Sequence, residues 1–200
     1  MLVGRAAAGH YPAPKAPPPM MGPLHGVGLA GRPARRFVIT FLATSALLLG
    51  LYYFPYDEGG PVKRAIAAYL HCYAVVSGAI LRLFERGITV TGTDIVGRYS
   101  LRLVRTCDAM DVNILLVSAV MAWPGSWRRR VLAAAAGLGC VLLVNVARIC
   151  SLYFVGVHAP GAFSFVHVEL WPIAMLVVAV GAFIAAVRWM EREVPAGTAA

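Results

Sequence analysis

The sequence predicts an all-α integral membrane protein with about four transmembrane helices, one further interfacial or re-entrant helix and a small β-hairpin outside the bilayer. Three observations predict it. Of 200 residues, 60% are hydrophobic and 14% charged, with a mean hydropathy of +0.72, outside the range of soluble globular chains. The apolar residues gather into runs near the roughly 20 that a bilayer helix needs, so the length accommodates four or five spans and little else. The charge is punctuation: 18 Lys and Arg against 9 Asp and Glu leave a net +9, but the arginines fall between the apolar runs. Nucleic-acid binding needs a basic face on a folded surface, and this pattern argues against it. The composition also excludes a soluble enzyme, a disordered regulator and a disulfide-stapled secreted module.

The elements follow in order. Residues 1–33 hold seven of the thirteen prolines and no acidic residue, a composition that cannot bury a core and reads as a disordered tail. Met20 or Met21 could be the true start. Arg32, Arg35 and Arg36 precede Phe37 to Phe54, an uncharged run expected to be a first span. No small-residue cleavage site follows, so the run reads as an uncleaved anchor. Ala65 to Phe84 is long enough to span yet carries His71 and Arg82, and it could cross the bilayer or lie on it. Partial period-two alternation around Gly92 and Gly97 predicts a hairpin over 88–106 on the water side.

Three more helices are expected at about 108–123, 131–155 and 169–188. The loop from Pro124 to Arg130 separates the first two, and Gly156 to Phe165 the last two. Trp123, Trp127, Trp171 and Trp189 fall near helix ends, as interfacial anchors do. Residues 34–190 thus form one membrane-embedded domain, and 191–200 a short C-terminal tail. No internal repeat, phosphate-cradling glycine loop or nucleotide fingerprint occurs, and no cofactor is implied.

Four cysteines, Cys72, Cys107, Cys140 and Cys150, include no Cys-x-x-Cys pair, which argues against a disulfide oxidant. Cys140 and Cys150 lie in an apolar run, where a cysteine behaves as a small hydrophobe. Cys107 opens the expected 108–123 helix, opposite the Arg128-Arg129-Arg130 loop. Arg148, seventeen residues beyond Val131, returns about 26 Å up the next helix to the level of Cys107. His167 precedes the last helix, so all three are expected near one membrane face. An arginine inside a span costs about 2.5–3.5 kcal/mol on insertion scales and usually marks a paired or functional site.

The chemistry fits an acyl-transfer centre. The Cys107 thiol needs an imidazole, a cation or a helix N-terminus to become a thiolate, His167 can carry its proton, and Arg148 can face an oxyanion. Asp108 and Asp111 favour the N-terminus of the following helix; a metal site with Cys107 and His167 is the weaker alternative. Two other classes stay open: a non-catalytic membrane subunit or small-solute carrier using Arg148 and His167 as binding groups, and a metal-dependent hydrolase liganded by Cys107, Asp111 and His167.

The ordered series Cys107-Asp108-Ala109-Met110, then Asn145-Val146-Ala147-Arg148-Ile149, then His167, with helices between, resembles the exosortase and archaeosortase group of membrane cysteine transpeptidases. It is most similar to small exosortases of the H or M kind, over about 100–188. The resemblance implies a processing enzyme on the outer face of the bacterial inner membrane. It would cleave exported proteins that end in a short motif, a membrane helix and a basic tail, through a thioester on Cys107. Arg148 and His167 carry over as the other catalytic positions, Asn145 as a motif member. Many members place Gly two residues after the cysteine; here Ala109 stands there.

Counting basic residues by side gives ten inside and seven outside whether or not Ala65 to Phe84 crosses. The compact triple-arginine loop and the resemblance favour four spans with Ala65 to Phe84 roofing the site. Cys72 would then share a compartment with Cys107, and a disulfide between them would silence the nucleophile.

Overall fold

The computed structural model describes residues 32–57 and 59–192; the expected tail at 1–33 and the C-terminal tail lie almost wholly outside the described residues. Helix α1 (Arg32–Tyr53) begins in the arginine cluster and carries the uncharged run. Helix α2 (Pro61–Leu81) opens with proline at its first position, where the missing N–H costs nothing. Three short strands follow, β1 (Thr89–Thr91), β2 (Asp94–Val96) and β3 (Ser100–Arg102), then a 3-10 turn at Arg105–Cys107. Helix α3 (Met110–Ala122) and the 32-residue α4 (Trp127–His158) come next. A 3-10 turn at Pro160–Ala162, one helical turn α5 (Phe163–Phe165) and a π-helical stretch at Val166–Leu170 lead into α6 (Trp171–Arg192).

The expected hairpin is a three-stranded antiparallel sheet in the order β1-β2-β3, with Val90 opposite Ile95 and Ile95 opposite Leu101. Gly92, at φ +60°, turns the first pair, and a second turn at Gly97 sends the chain back for a third pass. Arg102 closes that pass with two charge-assisted bonds to Asp94, at 2.8 and 3.0 Å, and holds the Asp94 carboxyl below its usual range. Ile95 is fully buried and Leu101 nearly so, which fixes the face the sheet turns inward.

Among the described residues, four helical segments are long and apolar enough to cross a membrane: Pro33–Tyr53, Pro61–Leu81, Trp127–His158 and Pro160–Arg192. The number agrees with expectation, but α2 has the length of a span and α3 does not. Cys107, Asp108 and Ala109 are spent on a turn and Pro124 ends the run, so α3 keeps 13 residues, about 20 Å at the standard rise. Packing assigns the two helices different places. The apolar α3 lies among α1, α4 and α6, as a helix without a polar face must. Helix α2, by contrast, runs along the second half of α4 and the sheet. Its first turns share a cleft with Arg105; its last turns pack on the sheet and on the far half of α4, where the Cys150 thiol reaches the Ser77 carbonyl at 3.8 Å.

At the opposite end, the triple-arginine loop ties helix termini together. Arg130 donates to the Met121 carbonyl at 2.8 Å and Arg129 to that of Met190 at 3.3 Å, satisfying last-turn carbonyls of α3 and α6. Phe37 of α1 packs edge-on to Trp123 at 5.6 Å, so α1 starts at this end and finishes at the other.

Candidate functional site

Cys107 ends the 3-10 turn that descends from the sheet, and its N–H donates to the Val104 carbonyl at 2.8 Å. It is 8% exposed. The sequence suggested that Cys107 opens a helix; instead Asp108 and Ala109 separate it from α3. Asp108 accepts the Met110 N–H at 2.9 Å, doing the work of a capping side chain, and Ala109 takes a left-handed conformation at φ 56° and ψ 20°. Ala109 is the one non-glycine residue with positive φ among the described residues. That conformation favours glycine, which gives a physical meaning to the position where alanine stands here.

The Cys107 turn is held from two sides. The end of α1 supplies Tyr52, which donates to the second oxygen of Asp108, and Tyr53, which donates to Asp111 at 2.8 and 2.9 Å. Arg105 lies over the Tyr52 ring at 5.1 Å and donates to the Tyr52 carbonyl at 3.3 Å. Burial raises the Asp108 carboxyl above the ordinary range, partly offset by the bonds from Tyr52 and from the Met110 N–H. From the other side, the fully buried Asn145 of α4 donates to the Cys107 carbonyl at 2.9 Å. This bond pins the middle of α4 to the residue carrying the thiol.

Arg148 follows one turn later on the same face of α4 and is 6% exposed. Its guanidinium lies in the neighbourhood of Cys107, Asp108 and His167. His167 projects from the π-helical stretch and stacks on Phe163, with centroids 5.7 Å apart and planes 17° from parallel. Such π stretches often mark functional sites, and this one re-aims a side chain just before α6 starts. Three buried polar atoms facing this region, Arg148 Nε, His167 Nδ1 and Asn145 Oδ1, have no hydrogen-bond partner among the described residues. Buried polar groups normally find partners, so these three offer bonding positions that the described residues leave open.

The remaining candidates lie apart. His158 ends α4, exposed, with its Nδ1 donating to the Phe154 carbonyl at 3.0 Å. Cys72 and Cys140 are exposed on α2 and α4, and all four thiols are free. Among the described residues no three His, Cys, Asp or Glu side chains are placed to hold a metal ion. Asp111, named for that role, is engaged by Tyr53. The sequence reading missed Tyr52 and Tyr53; two adjacent tyrosines at a span end read as interfacial anchors, and nothing local shows what their hydroxyls reach.

The family model for transmembrane exosortases of the EpsH kind matches residues 27–185, which includes every element from α1 to most of α6. The chain belongs to the exosortase family. No curated protein and no solved structure matches it. This exosortase is therefore a multi-pass membrane protein of a family of protein-sorting transpeptidases that act on exported proteins. The match extends well upstream of the Cys107 motif and takes in α1 with its two tyrosines.

Proposed function

We propose that this exosortase cleaves the C-terminal sorting signals of exported proteins through a thioester on Cys107. The observation that carries the reading is the buried Asn145 to Cys107 bond, with Arg148 one turn further along the same face of α4 and its Nε unpartnered. His167 takes the thiol proton as sulfur attacks the scissile carbonyl; a C–S bond forms and the carbonyl π electrons move to oxygen. Arg148 faces that oxyanion with fixed positive charge and a planar set of donors. When the C–N bond breaks, His167 returns the proton to the departing amine. An acceptor nucleophile then attacks the thioester, transfers its proton through the same imidazole and releases the thiolate.

The substrate is a short motif followed by a membrane helix and a basic tail. The site lies on the outer face of the bacterial inner membrane, with Arg128 to Arg130 facing the cytoplasm. Residues 34–190 act as one transpeptidase domain. The test is processing of a sorting-signal reporter in cells. Cys107→Ala and His167→Ala are expected to leave membrane abundance intact and lower trimming at least ~10³-fold, with Cys140→Ala and His158→Ala near wild type. Trimming that survives Cys107→Ala and fails in Cys140→Ala overturns the assignment.

A further inference from the structure

A cleft of about 460 Å³ opens beside the Cys107 turn, between that turn and the start of α2. Its cations come from two elements: Lys63 and Arg64 in the first turn of α2, and Arg105, two residues before the thiol. Helix α2 begins here without a side-chain cap and without an acid in its first turn, so its terminus adds to the same positive field. One turn below Lys63 the wall becomes apolar, through Ile66, Ala67 and Leu70 on the same face of the helix. The cleft is therefore basic at one end and greasy at the other.

That gradient fits an amphiphile better than a soluble anion. The first turn of α2 opens an apolar helix of membrane-spanning length, the position at which such helices carry basic residues toward head groups. We infer that the cleft is a binding site for an anionic phospholipid, with Lys63, Arg64 and Arg105 taking the phosphate and Ile66, Ala67 and Leu70 lying along an acyl chain. The head-group oxygens accept from the guanidinium and ammonium donors, and the chain removes exposed apolar wall from water. Because Arg105 also holds Tyr52, lipid in the cleft bears on the turn that carries Cys107. The site goes beyond the transpeptidase reading and does not depend on it, since its readout is lipid retention and not processing.

Native mass spectrometry of the full chain, extracted with phosphatidylglycerol and phosphatidylcholine in equal amounts, tests it. Wild type is expected to retain one phosphatidylglycerol in preference to phosphatidylcholine by roughly tenfold, and Lys63→Gln/Arg64→Gln to lose that preference. Lys63→Arg/Arg64→Lys should keep it. A photoreactive side chain in place of the exposed Ala67 should crosslink to phosphatidylglycerol with all native charges present, which keeps the test decisive if the double variant does not fold. Glycerol phosphate should compete poorly because it has no chain. Equal retention of the two lipids, retention unchanged in the glutamine variant, displacement by glycerol phosphate as effective as by lipid, or displacement by an acidic peptide instead would each overturn the assignment.

Discussion

The two halves of this exosortase are built differently, and α4 belongs to both. Its first half packs with α3 and α6 through small and apolar residues, Ala133, Ala134, Val141, Ala186 and Leu116, and only its first turn, through Arg129 and Arg130, is seen bonding to their last-turn carbonyls among the described residues. Its second half packs with α2 and the sheet through Ile149, Tyr153, Leu81 and Ile95, and polar ties surround that core. Tyr153 and the Arg98 N–H both donate to Glu85 at 2.9 Å, and Arg82 donates to the Ile88 carbonyl at 3.0 Å. Small-residue packing suits a place where lipid covers the outer faces, and polar ties suit one where water does. At 32 residues, about 48 Å, α4 is long enough to run through both environments. Asn145 and Arg148 sit where one half becomes the other. A buried arginine is cheapest at such a boundary and still dry enough for its charge to be felt strongly.

If that boundary is where chemistry happens, breaking it should cost turnover before it costs folding. Arg148→Lys keeps the charge and loses the planar fork; trimming is expected to fall ~10²- to 10³-fold at unchanged membrane abundance. Equal activity of the lysine variant would reduce Arg148 to a charge reaching for head groups. Next in size is Asn145→Leu, which leaves the Cys107 carbonyl unbonded and frees the thiol to shift. Because small displacements of reacting groups are expensive, turnover should fall about 10²-fold with substrate affinity largely kept. A matched rise in KM with unchanged kcat would point to a binding role instead.

A third variant sharpens the contrast by loosening one half only. Gly156 on α4 lies against the ring of Tyr99, and any added Cβ would overlap it. Gly156→Ala should therefore lift the sheet from α4 at a cost of about 1–3 kcal/mol, read as faster hydrogen exchange over 88–102 with exchange in α3 and α6 unchanged. Uniform loss of protection in both halves would show that they fold as one unit.

The smallest effect belongs to Ala109→Gly. Its left-handed backbone costs alanine roughly 1 kcal/mol, but glycine would lose a buried methyl worth about 0.8 kcal/mol and gain backbone entropy in the unfolded chain. Ala109→Gly should thus shift the melting temperature little and keep activity. Ala109→Val, forced into a region β-branched residues avoid, should unfold the turn and lose trimming. A well-tolerated valine would mean that the left-handed turn is not maintained.

Much of this was legible because it depends on local pattern. The apolar run of α1, the proline and glycine breaks, and the rise per residue that returns Arg148 to the level of Cys107 all follow from the chain itself. What was not legible depends on contacts across the molecule. The sequence cannot show that Tyr52 reaches Asp108, 56 residues away, or that Asn145 takes the Cys107 carbonyl, 38 residues away. The third strand was hidden because Gly97 looked like part of a hairpin instead of a second turn. Helix α3 looked long enough to span because nothing local shows that Cys107 to Ala109 form a turn and not the first turn of the helix.

The central claim is that the thiol at this boundary carries the acyl group, and trapping the adduct tests it most directly. Purified full-length protein in lipid nanodiscs is mixed with a sorting-signal substrate, quenched in acid and digested, and the modified peptide is identified by mass. The account predicts one hydroxylamine-sensitive acyl adduct on Cys107, diminished in Arg148→Lys and absent in Cys107→Ala. Product formation with an adduct on Cys72, Cys140 or Cys150, or turnover by Cys107→Ala at the wild-type rate, would contradict it.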